Sequence, residues 1–224
     1  MSNYKCVIFD VDGTLLDTSD GLISSVDYTV ETFGYPELDI ETKKSFIGPP
    51  IQNSFKKQFS LSDEEVKKMA SLFRQRYKDV DLLKAVPYEG IYDVLYELKK
   101  NGVKIAIATY KRQDYAKILL EHFKFNEYTD LIVGSDFEGK LKKKDIIKLA
   151  LQNAGIDNPG DAVMVGDSDN DAIGAKEIGS AFIGVTYGFG FKTEHDALEY
   201  DCIGCASTTE QILTYILGGD KNED

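Results

Sequence analysis

Five short apolar runs constrain the fold of this chain more strongly than any other feature. They show little alternation between apolar and polar positions, which is typical of parallel strands covered on both faces. The runs span residues 5–9, 103–109, 131–133, 162–165 and 181–185. Helical patterns lie between the later runs, and the first of these patterns stops at Asn101 and Gly102. This alternation predicts an α/β fold built on a parallel sheet.

A long helical interval separates the first two runs, and it is far longer than a single crossover helix requires. Leu22, Val26 and Val30 share one helix face within it. Further along, Ser62 forms a predicted capping box with Glu65 ahead of a long polar helix. We therefore predict an inserted helical domain at residues 17–85 and a core domain made of residues 1–16 and 86–224.

Two carboxylates follow the first predicted strand, in the segment Asp10-Val11-Asp12-Gly13-Thr14. Ligands of open parallel sheets bind beyond the carboxyl ends of the strands, so Asp10 and Asp12 emerge where a site is expected. Gly13 allows the backbone to approach a ligand closely. The alternative interpretation is a simple Asp-Gly turn, which the motif alone does not exclude.

A second acidic segment, Gly166-Asp167-Ser168-Asp169-Asn170-Asp171, also follows an apolar run and begins a helix. Favourable interaction with the helix dipole explains an acidic residue in the first turn, and it accounts well for Asp169. It accounts less well for Asp167, which lies at the strand end and would face Asp10 across the sheet. Several hard oxygen ligands are what magnesium prefers, so we expect Mg²⁺ here.

Two further polar features accompany these motifs. Thr109 ends the second predicted strand, where its hydroxyl could hold phosphate oxygens or simply cap the chain. A lysine-rich run follows the third predicted strand and is usually read as a solvated face. Its members are Lys140, Lys142, Lys143 and Lys144. One inward lysine among them could neutralise a phosphoryl group.

The acidic composition restricts the classes of partner. Thirty-eight acidic residues against 26 basic ones give a net charge of -12, which repels nucleic acid polymers and anionic lipid. No apolar run approaches the roughly 20 residues that span a bilayer, and the first ten residues carry no cleavable signal pattern. We expect a cytoplasmic protein with no membrane and no nucleic acid partner, acting as a monomer or weak homodimer.

The order of these motifs resembles that of the haloacid dehalogenase superfamily of phosphohydrolases. The matching features are D-x-D-G-T, a strand-end Thr, a Lys before an apolar helix, and G-D-x-x-x-D, spread over nearly the whole chain. Gly48-Pro49-Pro50 and the segment at residues 184–190 are similar to the branch that contains phosphoglycolate phosphatases and 5'-nucleotidase-like enzymes. The resemblance implies a Rossmann-like, doubly wound parallel sheet core with an inserted α-helical cap.

The resemblance also implies roles for four carboxylates. Asp10 would be the nucleophile and a ligand of Mg²⁺. Asp12 would be the general acid/base, and its backbone carbonyl would also meet the metal. Asp167 would be a further metal ligand, with Asp171 in support.

Phosphate binding is implied for a second group of residues. Thr109 and the backbone at Gly13 would contact phosphoryl oxygens. Lys143 best fits the spacing to the following apolar helix, although one residue is missing relative to the family pattern, so Lys142 and Lys144 stay open. Tyr110 departs from the Ser or Asn that is usual in the family at that position.

The chemistry of these residue types favours a magnesium-dependent phosphatase that acts on a small phosphorylated metabolite. A carboxylate nucleophile divides the reaction into two easier displacements. Phosphoglycolate and nucleoside monophosphates are the leading substrate candidates. A phosphosugar mutase is the nearest alternative, a phospho-aspartate signalling domain is a more distant one, and a dehalogenase is disfavoured because attack on carbon needs no magnesium cluster.

Overall fold

The computed structural model describes residues 4–218, so residues 1–3 and 219–224 of the predicted core domain lie outside it. The chain divides into two compact units. One contains the chain up to Leu16 and again from Pro87, and the other is Asp17–Val86. Within the described range, no helix combines the length and the apolar character that crossing a membrane requires.

Eight strands occur along the described chain. They are β1 (Cys6–Phe9), β2 (Leu16–Asp17), β3 (Val86–Pro87), β4 (Lys104–Arg112), β5 (Ile132–Ser135), β6 (Ala162–Gly166), β7 (Ala181–Val185) and β8 (Gly204–Ala206). Six of them form one sheet in the order β5-β4-β1-β6-β7-β8, and every neighbouring pair is parallel. This sheet confirms the predicted Rossmann-like, parallel α/β core. The short strands β2 and β3 pair with each other.

Ten α-helices lie between or after these strands in the described chain. They are α1 (Ser19–Thr32), α2 (Ile40–Lys44), α3 (Ile51–Gln58), α4 (Asp63–Arg76), α5 (Ile91–Lys100), α6 (Gln113–His122), α7 (Lys143–Asn153), α8 (Asp169–Ile178), α9 (Glu194–Leu198) and α10 (Gln211–Leu213). Helices α5 to α10 belong to the sheet-containing unit. Ile146, Ile147 and Ala150 of α7 are fully buried, because their spacing places them on one face of the helix, which packs against β4 and α8.

The sheet differs from the sequence prediction most clearly at the end of β4 and at the edge strand β8. The second predicted strand was expected to end at Thr109, but β4 continues to Arg112 through a shift in its register against β5 between Ala108 and Arg112. The edge strand β8 was not predicted. Its short Gly204-Cys205-Ala206 segment lacks an apolar run, and it is a strand because it pairs with β7.

The strand order places the first motif at the centre of the sheet. Strand β1 lies between β4 and β6, with Phe9 in register with Ile107 on one side and Val165 on the other. Strands β4 and β5 extend the sheet on one side of β1, and strands β6, β7 and β8 extend it on the other side. Asp10 therefore emerges at the point where strand order reverses, which is where open α/β sheets bind ligands.

The unit at Asp17–Val86 is helical and has its own apolar centre. Phe55 is fully buried and makes edge contacts with Phe46 and Phe73, at ring separations of 5.2 and 6.2 Å. The predicted capping box at the start of α4 is present. The Ser62 backbone N–H donates to Glu65, and the Glu65 N–H donates to the Ser62 hydroxyl.

A single buried carboxylate, Asp81, organises the polar interior of this helical unit. It lies 2.8 Å from Arg76 Nε and 2.7 Å from Lys84 Nζ, and its side chain has no exposed surface. The hydroxyls of Ser24 and Ser25 also donate to it, at 3.2 and 2.9 Å. Burial alone would raise the pKa of Asp81, but these donors more than offset it and hold the pKa below its usual value.

We expect Asp81→Asn to lower the free energy of unfolding by about 2 kcal/mol, because it replaces a buried charged acceptor that receives four donors, while solvent compensates part of the loss at Arg76 and Lys84, which are partly exposed. Urea unfolding followed by circular dichroism measures this. Asp79→Asn, an exposed carboxylate in the same turn, is the matched control and should change little.

The difference in the free energy of unfolding between Asp81→Asn and the native protein should also depend on pH. A depressed pKa in the folded state contributes stability that is present above the unfolded value of about 4 and is lost as pH falls through the folded value. A difference that stays constant down to strongly acidic pH would contradict the charge-network explanation.

Candidate active site

A tight turn after β1 presents the first motif. The Val11 carbonyl accepts from the N–H groups of Thr14, Leu15 and Leu16, at 3.3, 3.0 and 3.0 Å. Gly13 has φ +82°, which L side chains rarely adopt. The turn leaves the Asp10 side chain buried at the end of the central strand.

The second motif is organised by the start of α8. Ser168 is the N-cap, and its backbone N–H and hydroxyl donate to Asp171 Oδ2 at 3.2 and 2.6 Å. Asp171 is fully buried. Asp167 precedes the cap at the end of β6, and it is also buried. The strand-end position expected for Asp167 and the capping-box position of Asp171 thus follow from one local structure.

These two motifs bring three carboxylates together. Asp10, Asp167 and Asp171 each offer an oxygen, and the three oxygens lie within 4.8 Å of one another. Burying like charges this closely is costly unless they are paired or bind a cation. The cluster therefore needs positive charge.

One lysine of the basic run supplies part of that charge. Lys143 is the first residue of α7 and is buried, and its Nζ lies 2.9 Å from Asp10 Oδ1 and 2.6 Å from Asp171 Oδ1. Its backbone N–H donates to the Tyr110 hydroxyl at 2.9 Å, which anchors the start of the helix. Lys142 is exposed, and Lys144 lies 3.4 Å from Glu177 instead. Among the three lysines left open by the sequence, the geometry places Lys143 at the cluster.

The electrostatics of the cluster reflect this incomplete compensation. Burial raises the pKa of Asp10 to about 6, and the charge of Lys143 opposes the rise while Asp171 and Asp12 add to it. Burial also raises the pKa of Asp167 to about 7, with Asp171 and Asp10 contributing. Burial alone would lower the pKa of Lys143, but the carboxylates of Asp10 and Asp171 raise it above its ordinary value.

The donor set fits a divalent cation. The buried oxygens Asp10 Oδ1 and Asp171 Oδ1 accept no hydrogen bond of good geometry, although the Lys143 ammonium lies at ion-pair distance from both. Three carboxylates provide the hard oxygen ligands that Mg²⁺ prefers. Asp10, Asp167 and Asp171 are accordingly the side chains that could hold the ion.

Asp12 lies beside this cluster rather than within it. Its Oδ1 is 3.1 Å from Lys111 Nζ, and both side chains are largely buried. The contact to a metal that the family resemblance implies for Asp12 is through its backbone carbonyl. Its side chain is therefore left for a different task from that of Asp10.

Lys111 is the residue of this site that the sequence interpretation missed. It lies two residues after Thr109 in the irregular end of β4, and its backbone N–H donates to the Thr109 hydroxyl at 3.1 Å. Thr109 is buried, as is Lys111. The available signal was the spacing of two, since residues i and i+2 of a strand point to the same face.

Residues 7–185 match the family described as haloacid dehalogenase-like hydrolases. This match covers most of the chain. The chain belongs to this family. Its recognition from the sequence is thereby confirmed. The family is one of hydrolases, and the curated relatives that match this chain include a 5'-nucleotidase and a phosphoglycolate phosphatase.

Two curated relatives come from Pseudomonas aeruginosa. A 5'-nucleotidase is 31% identical over 192 residues, covering 85% of this chain and 86% of the relative. A phosphoglycolate phosphatase is 34% identical over 193 residues, covering 83% of this chain and 70% of the relative. A solved haloacid dehalogenase-like hydrolase from Streptococcus pneumoniae superposes with a TM-score of 0.87 at 31% identity, covering 95% of this chain and 98% of that one.

We expect Lys143→Ala to lower turnover by roughly 100-fold or more, because it removes a buried positive charge from the site. Lys142→Ala and Lys144→Ala should stay within about twofold, since solvated lysines contribute little. Steady-state kinetics on the three purified variants measures this, with circular dichroism as the check on folding. An inactive Lys144→Ala beside an active Lys143→Ala would show that the site uses the other lysine.

Proposed function

We propose that this chain is a magnesium-dependent phosphatase that hydrolyses the phosphate monoester of a small metabolite through an aspartyl-phosphate on Asp10. The observation that carries the proposal is the buried cluster at the carboxyl end of the central strand. There Asp10 lies with Asp167 and Asp171, and Lys143 bridges Asp10 and Asp171. A nucleophile, a cation site and a fixed ammonium occur together, as phosphoryl transfer requires.

The first step is attack by an Asp10 carboxylate oxygen on phosphorus. An O–P bond to Asp10 forms while the bond from phosphorus to the ester oxygen breaks in line with it. Asp12 gives its proton to the departing ester oxygen, so the alcohol leaves neutral. Lys143 and the hydroxyl of Thr109 stabilise the negative charge on the equatorial phosphoryl oxygens.

The second step returns the enzyme to its starting state. Asp12, now a carboxylate, accepts a proton from a water molecule as the water oxygen attacks phosphorus. The bond between Asp10 and phosphorus breaks, and inorganic phosphate leaves with the Asp10 carboxylate restored. One carboxylate thus serves as acid and then as base, which contributes roughly 100- to 10,000-fold to a rate when well positioned.

Asp10, Asp167, Asp171 and the Asp12 backbone carbonyl would hold Mg²⁺, and the bound ion would supply positive charge that neutralises the phosphoryl group. The chain's own net charge of -12 would otherwise repel an anionic substrate. The side chains of the site together explain why the cation is needed. Three clustered carboxylates share the single positive charge of Lys143.

Small phosphorylated metabolites are the proposed substrate class, with phosphoglycolate and nucleoside monophosphates favoured. The names of the two Pseudomonas relatives support this choice, because the alignment with each covers more than four-fifths of this chain at 31% and 34% identity. The acidic composition disfavours nucleic acid polymers as substrates.

We expect Asp10→Asn to lower turnover by roughly 1,000-fold or more and to abolish labelling by substrate phosphate, because the nucleophile is lost. Asp157→Asn, a change at an exposed carboxylate, is the control and should retain activity. Phosphate release and mass spectrometry of the acid-quenched protein measure the two effects. Full turnover in Asp10→Asn would refute the mechanism.

We expect Asp12→Ala to lose turnover for a different reason. An aryl phosphate has a good leaving group that needs little protonation, so Asp10 should still become phosphorylated slowly. The acyl phosphate should then accumulate, because no base activates water. Mass spectrometry of the quenched Asp12→Ala protein should find a phosphorylated peptide that contains Asp10, and a label found consistently on another residue would contradict the assignment.

We expect activity to disappear in chelator and to return with Mg²⁺. At about 100 times its dissociation constant, Mg²⁺ should add about 2.7 kcal/mol to stability and raise Tm by roughly 5 °C or more. Asp167→Asn should lose most of this shift.

A panel of phosphorylated metabolites assayed with Mg²⁺ identifies the substrate. Recovery of an isomeric sugar phosphate in place of inorganic phosphate would indicate a mutase.

A further inference from the structure

The loop that follows β7, residues 187–191, directs three successive backbone N–H groups at one residue of the site. Phe189 N and Gly190 N donate to Asp167 Oδ2, at 2.6 and 3.0 Å. Phe191 N donates to the Asp167 backbone carbonyl at 2.7 Å. Both the side chain and the main chain of Asp167 are therefore held by the same loop.

These bonds determine how the Asp167 carboxylate is oriented. Two N–H donors on Oδ2 fix the rotation of the planar group, and this determines the direction of Oδ1 as well. Hydrogen bonds from N–H groups to an ionised carboxylate are stronger than those between neutral groups. A metal ligand needs both a defined direction and a negative charge.

Two glycines allow the loop to approach this closely. A Cβ on Gly188 would lie 2.3 Å from the Gly13 carbonyl oxygen and 2.5 Å from Asp167 Oδ2. A Cβ on Gly190 would lie 2.3 Å from the Asp167 carbonyl oxygen. Neither glycine has a positive φ, so the requirement is space next to Asp167 rather than an unusual backbone conformation.

The same loop is also tied to the first motif. The Tyr187 hydroxyl donates to the Thr14 carbonyl at 3.1 Å, and the Tyr187 ring packs against Tyr88 at 4.7 Å between centroids. On the other side, a Cβ on Gly13 would lie 2.1 Å from Asp167 Oδ2. The turn after β1, the end of β6 and the loop after β7 thus meet at a single carboxylate.

We propose that residues 187–191 are a positioning element of the metal site, which sets the orientation of Asp167 and its spacing from Asp10. The inference rests on the proposed function in taking Asp167 as a metal ligand. It goes beyond that function by assigning a role to Tyr187, Gly188 and Gly190, none of which coordinates a metal through its side chain. The purely structural alternative is that the loop only closes this part of the sheet.

The two interpretations differ in what Gly188→Ala changes. A positioning role requires weaker Mg²⁺ binding, because the new methyl group would displace Asp167 or the turn at Gly13. A packing role requires lower stability with unchanged affinity for the ion. Changes to groups that orient metal ligands typically cost 10- to 100-fold in metal affinity, and we expect an effect of that size.

Isothermal titration calorimetry with Mg²⁺ on the full chain, freed of metal by a chelator, measures the affinity directly. Gly160→Ala is the matched control, because a Cβ there would meet Asn158 Oδ1 only at an ordinary 3.4 Å. It should bind Mg²⁺ within about twofold of the native protein. Circular dichroism and Tm without metal report separately on folding.

A second variant keeps the inference testable if Gly188→Ala does not fold. Tyr187→Phe retains the ring against Tyr88 and removes the bond to the Thr14 carbonyl. It should weaken Mg²⁺ binding several-fold and raise the Mg²⁺ concentration that half-activates the enzyme, while turnover at saturating Mg²⁺ recovers.

The outcomes distinguish a wrong metal site from a wrong role for the loop. If the native chain does not bind Mg²⁺, the proposed metal site is wrong. If the native chain binds Mg²⁺ and folded Gly188→Ala binds it equally well, the positioning role is refuted while the proposed function stands. If Gly188→Ala is unfolded, an unchanged affinity in Tyr187→Phe refutes the role in the same way.

Discussion

The burial of three carboxylates against a single ammonium is the constraint on which the rest of this structure depends. Asp10, Asp167 and Asp171 converge where the strand order of the sheet reverses, and Lys143 compensates only part of their charge. Buried charges are costly without partners, so each neighbouring segment contributes a donor. The cap of α8 holds Asp171, the loop after β7 holds Asp167, and the remaining deficit of positive charge fits a divalent cation.

A comparison with the helical unit shows that burial alone does not identify a functional carboxylate. Asp81 is fully buried, yet two cations and two hydroxyls surround it and its pKa is lowered. Burial raises the pKa values of Asp10 and Asp167 instead, and the positive charge beside Asp10 and the backbone N–H donors at Asp167 only partly oppose this rise. In this chain the compensated carboxylate of Asp81 stabilises the fold, whereas the incompletely compensated carboxylates of Asp10 and Asp167 indicate a site for a ligand or a reaction.

Local patterns in the sequence predicted much of the fold and the main members of the site. Apolar runs without alternation marked the strands, because a strand covered on both faces needs apolar side chains at every position. Asp10 and Asp167 could be placed at the same edge because parallel strands align their carboxyl ends. The family was recognisable because its motifs occur in a defined order along the chain, and the match over residues 7–185 confirms it.

Other features were decided by tertiary structure alone. The spacing to the following apolar helix favoured Lys143 but left Lys142 and Lys144 open, and the choice follows from how α7 packs beside Asp10. The extension of β4 that brings Lys111 to Asp12 depends on pairing with β5. The loop after β7 reaches Asp167 across more than twenty positions of sequence. The sequence by itself determined which chemical groups lie at the strand ends that form the site. Tertiary structure decided the partners of these groups, because long-range charge pairing and close backbone approach leave no periodic pattern in a sequence.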